Sequence, residues 1–207
     1  MYTLYYSPGA ASVAAHGVLE ELGVPYKTQL VDTSTGAHKE AAYLKINPIG
    51  RIPALGLEDG QAISESAALC IFLADRHPQA GLAPAVDDPE RGAYLQWLMY
   101  LTNTLQPADL RFYYSDRYTA AAEGAAGVKD QAQAEVAECW AHVEKQLAAH
   151  GPYLLGDRYS AADIFCYMLS TWQECCPGLY ERFPHVKKLA DLVAVRPAIQ
   201  RMQKANS

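Results

Sequence analysis

A proline-rich break near residue 80 divides this 207-residue chain into two unlike halves. Between residues 78 and 89, Pro78, Pro84 and Pro89 join Gly81. Proline has no N–H to donate and glycine loses the most freedom on ordering, so neither a continuous helix nor a strand can run through. Before the break, short β-rich runs alternate with helical patterns; after it, every pattern is helical. Residues 1–77 are therefore expected to form an α/β domain, 78–89 a linker, and 90–207 an all-helical domain.

In the first part, Tyr2 to Tyr6 reads as a strand. Val13 to Leu22 reads as a helix stopped by Gly23 and Pro25, and Tyr26 to Val31 as a second strand. A helix is predicted over Lys39 to Lys45, ahead of Asn47-Pro48. Pro53 to Leu57 and Gln61 to Ile63 flank Glu58-Asp59-Gly60, a hairpin signal. An apolar helix, Ala67 to Arg76, follows. The order β-α-β-α-β-β-α opens with a unit that needs parallel strands and a right-handed crossover, and closes with an antiparallel hairpin. That is a small sandwich of thioredoxin type.

In the second part, Arg91 to Tyr118 reads as one long helix. Tyr94, Trp97, Leu98, Leu101 and Leu105 share its buried face, and Pro107 kinks it. Ala122 to His150 is a second long helix with Val136, Trp140, Val143 and Leu147 inward. Ser160-Ala161-Ala162-Asp163 fits a capping box ahead of a helix from Ile164 to Cys175. Pro184 and Pro197 punctuate shorter terminal helices.

Charge and composition exclude several functions. The formal net charge is −6 and no Lys/Arg cluster occurs, so nucleic acid and acidic membrane surfaces are not expected partners. The longest apolar run, Ala67 to Ala74, is too short to span a bilayer. No basic, apolar leader precedes the first strand, and a cytoplasmic protein is expected. Five cysteines at irregular spacing make no disulfide framework, and without CxxC or HExxH no metal site is expected. These thiols are read as reduced core residues.

Chemistry concentrates in three stretches. "YYSPGAASV" (5–13) is a strand, a tight turn and a helix start, where backbone N–H groups and the helix dipole favour an anion or a thiolate. Its turn holds alanines and no cysteine. "NPIGRIPAL" (47–55) places Pro53 at a strand start. "ES" (65–66) opens the apolar helix, where Ser64 and Ser66 can cap and Glu65 suits the first turn.

Taken together with the late "SAAD", these stretches resemble the cytosolic glutathione S-transferases over essentially the whole chain. The spacing from "YSPGAAS" to "LEELG" is most similar to the bacterial beta class. The resemblance implies a thioredoxin-like α/β N-terminal domain plus an all-α C-terminal domain. It implies glutathione as co-substrate, a homodimer, and conjugation of the glutathione thiolate to a small hydrophobic electrophile in detoxification. A non-catalytic binding protein of the same fold, or a glutathione-dependent isomerase or dehalogenase, is the alternative.

Residue by residue, the resemblance makes the Ile52–Pro53 bond cis, with the Ile52 backbone pairing the cysteinyl part of glutathione like an added strand. Ser66 would receive the γ-glutamyl carboxylate and Glu65 its amine. Arg51, His38 and Lys39 are candidates for the glycyl carboxylate. The second substrate would lie between the domains, near Ala10, Gln106, Arg111, Tyr113 and Tyr114, with Arg111, Tyr114 and Tyr118 on one helix face.

The departures concern the thiol. The beta-class cysteine falls at Ala11 and its second-domain histidine at Gln106, so no cysteine-based redox cycle can run from the opening loop. A free thiol has a pKa of about 8.5, and lowering it by two units takes about 2.7 kcal/mol of differential stabilisation. The candidates to supply it are the hydroxyls of Ser12 and Tyr6, or backbone donors alone. Ser12 also reads as a plain helix cap and Tyr6 as a half-buried strand residue.

Overall fold

The computed structural model describes residues 1–207. The chain divides into two compact units: Met1–Val86 together with Ala194–Ser207, and Asp87–Val193.

The first unit is built on a four-stranded sheet of order β2-β1-β3-β4, from β1 (Tyr2–Tyr6), β2 (Tyr26–Leu30), β3 (Ala54–Gly56) and β4 (Ala62–Ser64). β1 and β2 are parallel, joined through helix α1 (Ser12–Leu22). β3 runs antiparallel to both β1 and β4, with Leu4 opposite Leu55 and Leu55 opposite Ile63. Leu4, Leu55, Ala14, Val18, Leu19, Leu69 and Leu73 are fully buried, the last two on α3 (Ser66–Arg76). Each such leucine or valine contributes about 1.5–3 kcal/mol of burial. On the other face, Val31, Tyr43 and Ala54 pack with Tyr5, Ile46 and Ile52. The helix expected over 39–45 is shorter: a 3₁₀ turn, Ala37–Lys39, precedes α2 (Ala41–Leu44).

The C-terminal helix α10 (Pro197–Ala205) belongs to this unit rather than to the helices it follows. Arg196 holds Glu21 through two contacts, and Arg201 Nε donates to Glu20 at 2.6 Å. Between them lies a buried network. Asn206 Nδ2 donates to His16 Nδ1 at 2.9 Å, and His16 Nε2 meets the Tyr26 hydroxyl at 2.9 Å. Tyr26 in turn donates to Glu20. Because the amide is a donor and the Tyr26 proton goes to Glu20, His16 is neutral with its proton on Nε2. Burial lowers the His16 pKa, Glu20 opposing.

The second unit is helical, with α4 (Arg91–Tyr100), α5 (Gln106–Tyr113), α6 (Ala125–His150), α7 (Ala161–Ser170), α8 (Leu179–Arg182) and α9 (Pro184–Ala194, whose last residue lies across the unit boundary). The helix expected to run unbroken from 91 to 118 is divided. A π turn, Leu101–Leu105, closes with the Gln106 N–H on the Leu101 carbonyl, just before Pro107, which has no N–H to continue the ladder. α5 ends at Tyr113, and Ser115–Tyr118 is a separate 3₁₀ turn. The spacing that put Arg111, Tyr114 and Tyr118 on one helical face therefore does not apply.

The predicted capping box forms: the Ser160 side chain caps the first turn of α7 while Asp163 Oδ2 accepts the Ser160 N–H at 2.8 Å. Asp163 Oδ1 also takes the Leu154 N–H at 2.8 Å, tying the preceding loop to the helix. That helix stops at Ser170, short of the expected Cys175. All five cysteines are free and buried.

Candidate functional site

The first unit gathers most of the sequence-predicted residues at one end of its sheet. The loop 47–53 is shaped by three local contacts. Asn47, almost fully buried, donates through Nδ2 to the Arg51 carbonyl at 2.7 Å and accepts the Ile49 N–H at 3.2 Å. The Tyr43 hydroxyl donates to the same Arg51 carbonyl at 2.7 Å. Gly50 sits at φ +62°, where a Cβ would lie 2.8 Å from the His38 carbonyl, so only glycine fits. Asn47 and Tyr43 were not singled out from sequence; an Asn two residues before a turn residue was the available signal.

These contacts present a short open edge. The Arg51 carbonyl is fixed, the Ile52–Pro53 bond is cis, and the Ile52 N–H and C=O have no partner within the chain. Basic groups surround the same loop. Lys39 Nζ donates to the Gly50 carbonyl at 2.8 Å and the Ile49 carbonyl at 3.4 Å. His38 packs behind Gly50, with a buried Nδ1 that has no partner. Arg51 is exposed and makes no ion pair within the chain. His38, Lys39 and Arg51 thus converge on one loop.

Glu65 carries the chain's one positive φ outside glycine, φ 71° and ψ 108°, a conformation that costs about 1–3 kcal/mol and gathers at functional sites. It turns the chain from β4 into α3. The first N–H groups of α3 have no carbonyl within the helix, and Glu65 itself is exposed. The Ser66 hydroxyl donates to the Ala11 carbonyl at 2.6 Å, which joins the start of α3 to the start of α1.

The opening loop differs from expectation. Ser12 is fully buried; its hydroxyl donates to the Ser7 carbonyl at 3.0 Å and accepts the Ser7 N–H at 3.3 Å. A hydroxyl has one proton, so Ser12 closes the loop and offers none to a ligand. Tyr6 lies on the sheet face that carries α1, its ring 6.0 Å from that of His16, and its hydroxyl makes no hydrogen bond. Ala10 and Ala11 are half-exposed, and the Ala11 N–H is unpaired within the chain.

In the second unit, Gln106 is nearly buried and its Oε1 accepts from Thr102 Oγ1 at 3.4 Å. Arg111, expected near the second substrate, is paired with Glu135. Tyr113 and Tyr114 are exposed, and the Arg117 guanidinium lies 4.0 Å from the Tyr114 ring centre. One buried acid escaped the sequence reading. Asp109 on α5 is buried with Oδ2 unpartnered, and burial pushes its carboxyl up to about 7. Cys175 Sγ lies 2.9 Å from Asp109 Oδ1. Their separation in sequence left no signal.

Among the described residues no helix is long and apolar enough to cross a membrane, and no cluster of His, Cys, Asp or Glu is arranged to hold a metal.

Comparison with known proteins agrees with this layout. The glutathione S-transferase N-terminal domain family matches residues 11–76 and the glutathione S-transferase C-terminal domain family matches residues 108–205. Glutathione S-transferase 3 of Zea mays is 31% identical over 97% of this chain and 91% of its own. A Sulfitobacter glutathione transferase homologue, solved with bound glutathione, is 30% identical with a TM-score of 0.91, covering 99% of this chain and 98% of that one. The beta-class glutathione S-transferase of Sphingomonas chungbukensis is 27% identical with a TM-score of 0.85, covering 99% of this chain and 98% of its own. Two domains in the family's order, and a relative this similar along nearly its full length, place the chain in the glutathione S-transferase family.

Proposed function

We propose that the protein is a glutathione transferase: it binds glutathione on its first unit, stabilises the thiolate and adds it to a small hydrophobic electrophile. The observation that carries this reading is the unpaired Ile52 N–H and C=O edge, which suits an extended peptide. In this reading the γ-glutamyl end meets Glu65 and the N–H groups at the start of α3. The glycyl carboxylate meets exposed Arg51 and Lys39, with His38 beside them on the same loop. The Sulfitobacter relative with glutathione bound supports the ligand.

Catalysis needs no covalent step on the protein. Proximity and electrostatic stabilisation of the sulfur supply the rate. With the Ser12 hydroxyl turned to Ser7, the donors left are the Ala11 and Ser12 N–H groups at the start of α1 and the Tyr6 hydroxyl. The scarcity of side-chain donors also favours a second reading, a binding protein without turnover. Gln106, Tyr113 and Tyr114 supply the acceptor-facing surface of the second unit, with Ala10 at the loop. A cytoplasmic homodimer in detoxification fits the family resemblance, and five unpaired thiols suit a reducing compartment.

Titrating glutathione into the protein while following thiolate absorbance against pH tests the mechanism. The expected result is a bound thiol pKa clearly below that of the free tripeptide. Binding with an unshifted pKa selects the second reading, and no binding at all removes both.

A further inference from the structure

At the end of the sheet opposite the loop 47–53, the first unit carries a cavity of about 570 Å³ that the mechanism above does not use. Four elements supply its floor. Tyr2 comes from the start of β1, Val24 and Pro25 from the turn after α1, Leu57 from the turn between β3 and β4, and Phe72 from the second half of α3. The glutathione reading uses the other ends of these same elements: the loop after β1, the start of α1, the loop before β3 and the start of α3. A helix rises about 1.5 Å per residue, so α3 sets Arg76 about 15 Å from Ser66. The two sites are separate.

Fixed contacts hold the cavity open. The Tyr2 hydroxyl meets His77 Nε2 at 3.1 Å, with the two rings edge-on at 84°, and this ties the start of β1 to the end of α3. Gly23, at φ 64°, turns the chain after α1 and sets Val24 and Pro25 beside the cavity. On the hairpin side, Asp59 Oδ1 accepts the Gln61 N–H at 3.0 Å, and the Leu57 N–H donates to the Gln61 carbonyl at 2.8 Å. A preformed hollow of this size, apolar below and polar at a few points of its edge, is the usual form of a small-molecule site.

The position of charge at the rim, not its sum, selects the ligand. Glu58 pairs with the N-terminal ammonium of Met1, and Asp59 turns back onto the Gln61 N–H. Arg76 is exposed, its guanidinium lies 5.6 Å from the centre of the Phe72 ring, and no carboxylate of the chain pairs with it. The Tyr2 hydroxyl has no other acceptor within the chain. Donating to Nε2 of His77, it leaves the imidazole proton on Nδ1, a second donor without a partner. An unpaired guanidinium and an imidazole N–H thus border an apolar floor. A guanidinium fits a carboxylate through two parallel hydrogen bonds. An apolar body would cover the half-exposed side chains of Val24, Leu57 and Phe72.

We propose that this cavity is a second ligand site, for a small carboxylate with an aromatic or short aliphatic body: the body lies on Val24, Leu57 and Phe72, and the carboxylate meets Arg76 and His77. The site belongs to the first unit alone and does not depend on the glutathione reading.

Calorimetric titration of the full chain with 2-naphthoate tests the site, with and without saturating S-hexylglutathione. The expected result is one naphthoate per chain, with the same Kd in both titrations. Amide NMR shifts should gather at Tyr2, Val24, Leu57, Phe72 and His77. The uncharged 2-naphthamide should bind about tenfold more weakly, the worth of a charge-assisted hydrogen bond. Arg76→Gln, at an exposed position, should weaken naphthoate by a similar factor, and Arg76→Lys by less. Absence of naphthoate binding overturns the proposal. So does equal binding of the naphthamide, or an unchanged Kd in Arg76→Gln. Displacement by S-hexylglutathione, or shifts centred on Ile52 and Glu65, puts the naphthoate in the glutathione site and overturns it as well. A naphthoate Kd that rises with protein concentration means that a second copy of the chain covers the cavity, which also overturns it.

Discussion

Replacing Asn206 with Asp should reverse the pH dependence that His16 gives to the first unit. His16 is 1% exposed and neutral, receiving the Asn206 amide at Nδ1 and meeting Tyr26 at Nε2. Its pKa is lowered by burial. The unfolded chain therefore binds this proton more readily than the folded one. The stability His16 contributes is full above the ordinary imidazole value of about 6.5, and is lost as pH falls from there toward the folded-state value. Asn206→Asp puts a carboxylate where the amide donor stood. An opposite charge at hydrogen-bond distance favours the imidazolium by about 1–3 pKa units, or about 1.4–4 kcal/mol. With a raised folded pKa the sign inverts, and the contribution is present below the unfolded value and lost as pH rises through the folded one. At high pH the carboxylate faces the Nδ1 lone pair, or forces the other tautomer and breaks the Tyr26 bond, at about 1–3 kcal/mol. Urea unfolding of both proteins at about pH 5 and about pH 8 should thus give stability curves that cross. Proton NMR of the histidine ring, assigned with a His16→Gln variant, should show the His16 titration moving up in Asn206→Asp. Parallel stability curves with an unmoved His16 titration would refute the network and its inferred tautomer.

Two further substitutions probe other parts of the chain. Ser12→Ala removes both bonds to Ser7 and is expected to lower stability by about 1–3 kcal/mol in urea unfolding while leaving the pKa of bound glutathione unchanged; a raised bound pKa would restore Ser12 to the chemistry. Asp163→Ala orphans the Leu154 and Ser160 N–H groups and the Ser160 hydroxyl in a fully buried site. Its expected cost, about 1–3 kcal/mol for each donor, is comparable with the whole stability of a domain, about 5–15 kcal/mol, so the soluble yield and the thermal midpoint should both fall sharply.

The α/β order, the parallel opening and the antiparallel hairpin were legible in the sequence because each rests on local periodicity and turn residues. The capping box was legible for the same reason: Ser160 and Asp163 are three residues apart. Boundaries moved where tertiary contacts decide. Pro107 announced a break in the long helix, but the break takes the form of a π turn that ends before it. The basic residues of the glycyl candidate set were visible one at a time, while their convergence depends on Gly50 letting the loop approach the His38 carbonyl. Ser12 illustrates the opposite limit. Its place at a helix start was read from sequence, yet the direction of its one proton is set by the Ser7 carbonyl, which the turn brings back onto it. His16 with Asn206, and Asp109 with Cys175, are far apart in sequence, so no pattern could pair them.

The return of α10 to the first unit has a consequence for the order in which the protein can be made. The buried side of α1 is completed by residues from 194 onward, so the N-terminal unit lacks part of its own core until the whole helical unit has left the ribosome. The helices from α4 to α8 carry no such debt and can pack as they emerge. Synthesis that ordinarily lets N-terminal domains fold first is here inverted. During that interval the His16 side of α1 stands uncovered, the stage at which this chain most needs shielding from its neighbours.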